Sequence, residues 1–233
     1  MKKICTAILF ALFISCSNDK IEDKKILDPI AIKLDTLSIG NKIYKIQNLT
    51  DTNFAFKKYD PSDTIEALRI KQFSDVVWRN SDTLFIKCDN NKIVKLKDNK
   101  TEQDDYQVFS FIVLNKDINA YVILCNGYEA HNVWLINKTS ADTLQVIGFP
   151  FASPDKKYFI CANSDIEAGF TVNGLALYAC KNGSYTFLGQ HEINGNWGAE
   201  EVLWKNDTTV ILNVVEKLSF DDYKYYCKAL YIK

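Results

Sequence analysis

The chain has 233 residues, 47% hydrophobic, 13% aromatic and 24% charged, a composition that supports a packed core and excludes wholesale disorder. Its 28 Lys and Arg stand against 29 Asp and Glu, a formal charge of −1, and Arg69 and Arg79 are its two arginines. With no cationic excess to release phosphate counterions and few guanidiniums to read phosphates or bases, nucleic acid is excluded as a partner.

Met1-Lys2-Lys3 is a basic start, followed by an apolar run from Ile4 to Ile14 and then Ser15-Cys16. That layout reads as a secretory signal. Eleven helical residues would rise about 16 Å, half a bilayer core, too short to span. The cysteine after Phe13-Ile14-Ser15 resembles the lipobox of bacterial lipoproteins, with Phe13 where Leu is usual. The resemblance implies a signal peptide over 1–15, diacylation of Cys16 as the mature N-terminus, and attachment to a membrane through that lipid. Ser17 to Leu27 is charged and aperiodic, so 16–29 reads as the lipidated cysteine with a solvated tether. Asp19, Glu22 and Asp23 resemble the acidic export signals of Bacteroidota-like lipoproteins. The expected location is the cell envelope, at the outer membrane, with either face open.

Residues 30–233 alternate short β-branched and aromatic runs with Asn, Asp, Gly and Ser clusters. Strands are expected at 42–47, 83–88, 92–97, 107–114, 120–125, 133–136, 143–149, 157–162, 174–179, 185–189, 201–204, 208–215 and 223–232. Pro61 to Phe73 is the one stretch with helical character, with Ser62 as its cap. The fold class is all-β.

Four segments share one template, a turn ending in Asp followed by an apolar strand: Asp82 into TLFIKC, Asp117 toward AYVILC, Asp155 into KKYFIC and Asp207 into TTVILN. The strands end in equivalent register at Cys88, Cys125, Cys161 and Asn213, and the aspartates are spaced 35, 38 and 52 residues apart. A period near 40 with several strands per unit is the pattern of propeller blades. Ser153-Pro154-Asp155-Lys156-Lys157-Tyr158 resembles the SPDGKY turn of TolB-like and WD40-like β-propellers, with Lys156 in place of Gly and no Trp-Asp dipeptide in any unit. The resemblance implies a propeller-like repeat of antiparallel sheets, about five units or an incomplete ring. A β-sandwich or a large curved sheet is the competing architecture.

Cys88, Cys125, Cys161, Cys180 and Cys227 follow the anchor, an odd number, and read chiefly as small buried hydrophobes. Cys161 and Cys180 fall on neighbouring strands of one hairpin, the pair placed to bridge if their Cα atoms come within about 7 Å. No GxSxG, P-loop, GxGxxG or CxxC is present, and His191-Glu192 lacks the second histidine of a zinc motif because position 195 is Gly. No cofactor and no metal site are expected. The Asn-x-Ser/Thr strings at Asn48, Asn137, Asn182 and Asn206 read as turn chemistry.

In a propeller the Asp-anchored turns would share one rim, and the opposite rim would gather the loops 126–132, 163–173, 190–200 and 218–224. Those loops hold Tyr128, Glu129, His131, Asp165, Glu167, Phe170, His191, Glu192, Trp197 and Glu200. Rings stack on sugar C–H faces while carboxylates and amides fix hydroxyls, so the expected function is non-catalytic recognition of a glycan, peptide or envelope partner. One alternative is hydrolysis of an extracellular polymer, with Glu129, Asp165, Glu167 or Glu200 as general acid or base, two of them within about 10 Å. The other is a structural or assembly role in an envelope complex.

Overall fold

The computed structural model describes residues 35–59, 66–101, 104–181 and 183–232. The signal segment, Cys16, the tether over 16–29 and the cap at Ser62 lie outside the described residues. Among the described residues the fold is all-β, with four antiparallel sheets and one short helix, and none of their helices is long and apolar enough to cross a membrane.

Chain order builds the sheets one after another. The first holds β3 (Val77–Asn80), β4 (Thr83–Lys87) and β5 (Ile93–Lys97). The second holds β6 (Val108–Asn115), β7 (Ala120–Asn126), β8 (His131–Asn137) and β9 (Thr143–Val146). The third holds β10 (Pro150–Ala152), β11 (Tyr158–Asn163), β12 (Gly174–Lys181) and β13 (Ser184–Glu192). The last combines β14 (Trp197–Asn206), β15 (Thr209–Ser219) and β16 (Asp222–Tyr231) with β2 (Lys42–Asn48) and β1 (Asp35–Ile39), in the order β1-β2-β16-β15-β14. The helix α1 spans Glu66–Gln72. Four separate sheets replace both the two-layer sandwich and the single curved sheet.

Burial explains why some strands read as unbroken apolar runs. In β7, Tyr121, Ile123 and Cys125 pack on the first sheet while Ala120, Val122 and Leu124 pack on the third. In β11, Phe159 and Cys161 face the second sheet and Ile160 and Ala162 the last. A strand covered on both faces has no polar face to alternate with, and each fully buried Val, Leu or Ile contributes about 1.5–3 kcal/mol. The last sheet's outer face, at Ile211, Cys227 and Ala229, is covered by Leu49, Phe54 and Phe56. Outer strands approach closely where the β1–β2 turn meets β13: a Cβ on Gly189, whose φ is +147°, would lie 2.2 Å from the Gly40 nitrogen.

Three of the four Asp turns lie together. Lys156 Nζ pairs with Asp117 at 2.9 Å, and the Asp155 N–H donates to the Asp207 carboxylate at 2.9 Å. Lys156, which stands where the resembled motif has Gly, has φ +58°. Asp82 departs from the expectation. Its carbonyl accepts from the Asp98 N–H, and the Asp98 carboxylate accepts from the Phe109 N–H near the start of β6, the opposite end of the second sheet. The far end of β4 meets the turn end instead, where the Asp89 N–H donates to Lys138 O and the Tyr121 hydroxyl to Lys87 O. The first, three-stranded sheet therefore presents its Asp turn at the end opposite to that of the other three. The helix α1 packs against β6, and Arg69 donates to Phe111 O.

The Cys161–Cys180 bridge is not formed, and the described cysteines are free. Register pairs Cys161 with Ala176, while the Cys180 N–H donates to Lys157 O. Four residues of strand, about 13 Å, separate positions that a disulfide needs within about 7 Å.

Candidate functional site

The loop between β11 and β12 folds around Asp165. Its carboxylate accepts from the N–H groups of Ala168 (3.1 Å), Gly169 (2.8 Å) and Thr171 (2.6 Å) and from the Thr171 hydroxyl (2.9 Å). Burial pushes this carboxyl up, but those hydrogen bonds outweigh it and hold its pKa below the usual value. Asn173 fastens the loop to the next link, donating to Ile193 O (3.0 Å) and Trp197 O (2.9 Å). Gly198 allows the approach, since a Cβ there would stand 2.3 Å from Ser164 Oγ.

The β15–β16 hairpin closes on the same loop. Lys217 Nζ pairs with Glu167 at 2.8 Å, and the Tyr223 hydroxyl donates to Glu167. Hydrogen bonds from Lys217 and Tyr223 hold the Glu167 carboxyl below its ordinary pKa. Asn196 joins the β13–β14 link to the hairpin through Lys217 O at 2.8 Å. Three of the four anticipated loops thus border an open cleft of about 270 Å³, lined by Asp165, Glu167, Glu200, Val215, Tyr223 and Tyr225. Glu200 falls where the β14–β15 register shifts between Ala199 and Glu201, and such a bulge re-aims a side chain. Burial first, and then the charge of Glu201, raise its pKa. Tyr225 is 60% exposed, presenting ring surface at the rim.

The remaining expected residues lie elsewhere. Tyr128 and Glu129 on the β7–β8 loop and His131 at the start of β8 are exposed and form no wall of that cleft. His191 sits on the third sheet's outer strand, its Nδ1 3.0 Å from Ser38 O, and Glu192 accepts from Gln190 Nε2 at 3.2 Å. Trp197 pairs with Glu216 and faces the third sheet, with Lys228 Nζ 4.7 Å from its ring centroid. Strand alternation gives the cleft side to its neighbour Gly198, which pairs with Val215.

Sequence reasoning missed Tyr223 and Tyr225, though both lie at or beside the 218–224 loop, where the three tyrosines of the run DDYKYY were the available signal. It also missed a cavity of about 210 Å³ at the opposite end, walled by Tyr59, Phe151 and Trp204 among others.

Neither cavity has cysteine chemistry at hand: burial raises the Cys125 and Cys180 thiols to about 11 and pushes the Cys161 thiol well above its ordinary value, which keeps them protonated and unreactive. No group of three or more His, Cys, Asp or Glu able to hold a metal occurs among the described residues. Comparison with protein-family models, curated proteins and solved structures yields no match.

Proposed function

We propose that this chain is the ectodomain of a membrane-anchored lipoprotein, held at the outer membrane by a lipid on Cys16, that recognises a glycan without catalysis through the cleft of the three converging loops. The observation that carries the reading is the pairing of the Tyr223 and Tyr225 rings with Glu167 and Glu200 in one cavity. Rings supply stacking surface for sugar C–H faces and carboxylates accept from hydroxyls. The Asp165 carboxylate is consumed by its own loop, as befits a wall that shapes a ligand rather than one that transfers protons. A peptide or another envelope component is the alternative occupant.

The architecture we propose is propeller-like. Consecutive sheets stacked face to face, their second strands β7, β11 and β15 bearing the repeat residues Cys125, Cys161 and Asn213, and a last sheet completed by an early hairpin support it. A glycan array probed with the parent and with Tyr225→Ala tests the function. Selective binding lost in Tyr225→Ala, with unchanged thermal unfolding, is the expected result; no retained glycan, or binding indifferent to Tyr225, overturns it.

One observation favours the hydrolase reading. Glu200 has a raised pKa and Glu167 a lowered one within the same cleft, the split expected of an acid and its partner. Release of reducing ends from a polysaccharide panel, abolished in Glu200→Gln, would establish it over pure recognition.

A further inference from the structure

The cavity at the turn end is built unlike the loop cleft. It lies where β6, β10 and β14 end, three strands of three consecutive sheets. Tyr59 forms one wall, stacked on Phe149 with centroids 4.6 Å apart and meeting Phe151 edge-on at 5.5 Å. The Tyr59, Asn115, Trp204 and Ser153 side chains of the wall are already engaged. The Tyr59 hydroxyl donates to Pro150 O (2.8 Å) and accepts from Asn115 Nδ2 (3.1 Å), and Trp204 Nε1 donates to Phe151 O (2.8 Å). Ser153 Oγ donates to Asp155 (2.8 Å) and accepts from the Tyr158 N–H (3.0 Å). A guest would meet the ring faces of Tyr59, Phe151 and Trp204 beside a smaller polar share of wall, most of whose neutral side-chain groups are engaged.

Charge enters only at the mouth. Lys156 is neutralised by Asp117, but Lys57 lies with its Nζ 5.5 Å from the Tyr59 centroid and has no acidic partner among the described residues. The volume of about 210 Å³ exceeds the ~150 Å³ apolar cavities that hold benzene. A compact ring or chain matches the stacked aromatic wall better than a polyhydroxylated guest, since few neutral side-chain partners there are free. We propose that this cavity is a second binding site, independent of the loop cleft, for a small organic anion: a compact aromatic or aliphatic body enclosed between Tyr59 and Trp204, with one carboxylate reaching Lys57.

Three probes of equal shape separate the elements of the idea: 3-phenylpropionate, 3-phenylpropanol and 3-phenylpropylamine. Each is titrated into the folded chain while the Trp204 indole N–H and the Asn115 side-chain amide are followed by two-dimensional NMR. The acid is expected to shift both signals saturably, with the alcohol about tenfold weaker and the amine weaker still. Lys57→Gln should bring the acid down to the level of the alcohol while leaving the alcohol unchanged, a control that does not depend on altering the wall. Equal shifts from all three probes, no shift of Trp204 at about 10 mM acid, or an undiminished response in Lys57→Gln overturns the assignment.

Discussion

At the turn end, hydrogen bonds run between sheets; at the loop end, most run within a loop or between adjacent loops. Asp155 reaches Asp207, Lys156 reaches Asp117, and the Tyr185 hydroxyl donates to Ile118 O at 2.6 Å, joining the third sheet to the second. Asp165 instead binds its own residues 168–171, and Glu167 binds the neighbouring hairpin. The turn end fixes how the sheets stack, whereas the loop end can vary its side chains without disturbing the stack. That division suits a recognition surface, because loops carried on a rigid scaffold tolerate substitution.

The largest break in this pattern is Arg79, a cross-sheet tie on the loop side. Its guanidinium pairs with Glu66 (3.1 Å) and Asp98 (3.0 Å) and donates to Phe109 O, with the Asp98 side chain 3% exposed. Arg79→Met leaves Asp98 with the more distant Lys100 (3.9 Å) and both acids with one backbone N–H each, and should cost about 2–4 kcal/mol in urea denaturation; a cost below about 1 kcal/mol would show the network to be dispensable. Next comes the turn end itself. Asn137 is 2% exposed, donates to Gly183 O and the Tyr185 hydroxyl, and accepts from the N–H groups of Thr139 and Ser140. Asn137→Ala should cost about 2–4 kcal/mol globally.

At the loop end, Asp165→Asn should cost about 1 kcal/mol and speed amide exchange at Ala168, Gly169 and Thr171 while core strands keep their protection. The sign with pH follows. Because the folded pKa of Asp165 lies below its unfolded value, its contribution is complete above the unfolded pKa, near 4, and is lost as pH falls through the folded one. The parent's loop should therefore loosen in acid, and Asp165→Asn should remove that dependence. Smallest of all, Lys217→Met breaks an ion pair whose Glu167 side chain is 52% exposed and should barely move the unfolding midpoint. A larger loss would mean that the hairpin supports the stack as well as the cleft.

Strands with a self-sufficient apolar pattern were legible in the sequence, and those made by their partners were not. AYVILC and YFIC announce β7 and β11, yet β10 is the tripeptide PFA and β3 is VWRN, both ordinary turn approaches until a neighbour pairs with them. The Asp template located its turns correctly but carried no direction along the stack, so Asp82 aligned with turns that lie at the other end. Of the candidate site, the loops 163–173, 190–200 and 218–224 were foreseen as neighbours. Which residues share the cleft depends on parity along each strand: one step separates Trp197, turned to the third sheet, from Gly198 on the cleft side, and a bulge at Glu200 resets the count. Composition does not encode that parity.

The last sheet has a temporal consequence. Lys45 pairs with Tyr231, a ladder that joins segments 186 residues apart, and such distant contacts slow folding because loop entropy is lost before the contact forms. As the exported chain emerges, the β1–β2 hairpin would appear first and wait, its exposed edge a candidate for wrong pairings, until β16 follows to receive it. A circular permutant that moves β1 and β2 to follow β16 should refold faster and aggregate less, because the wait would be gone.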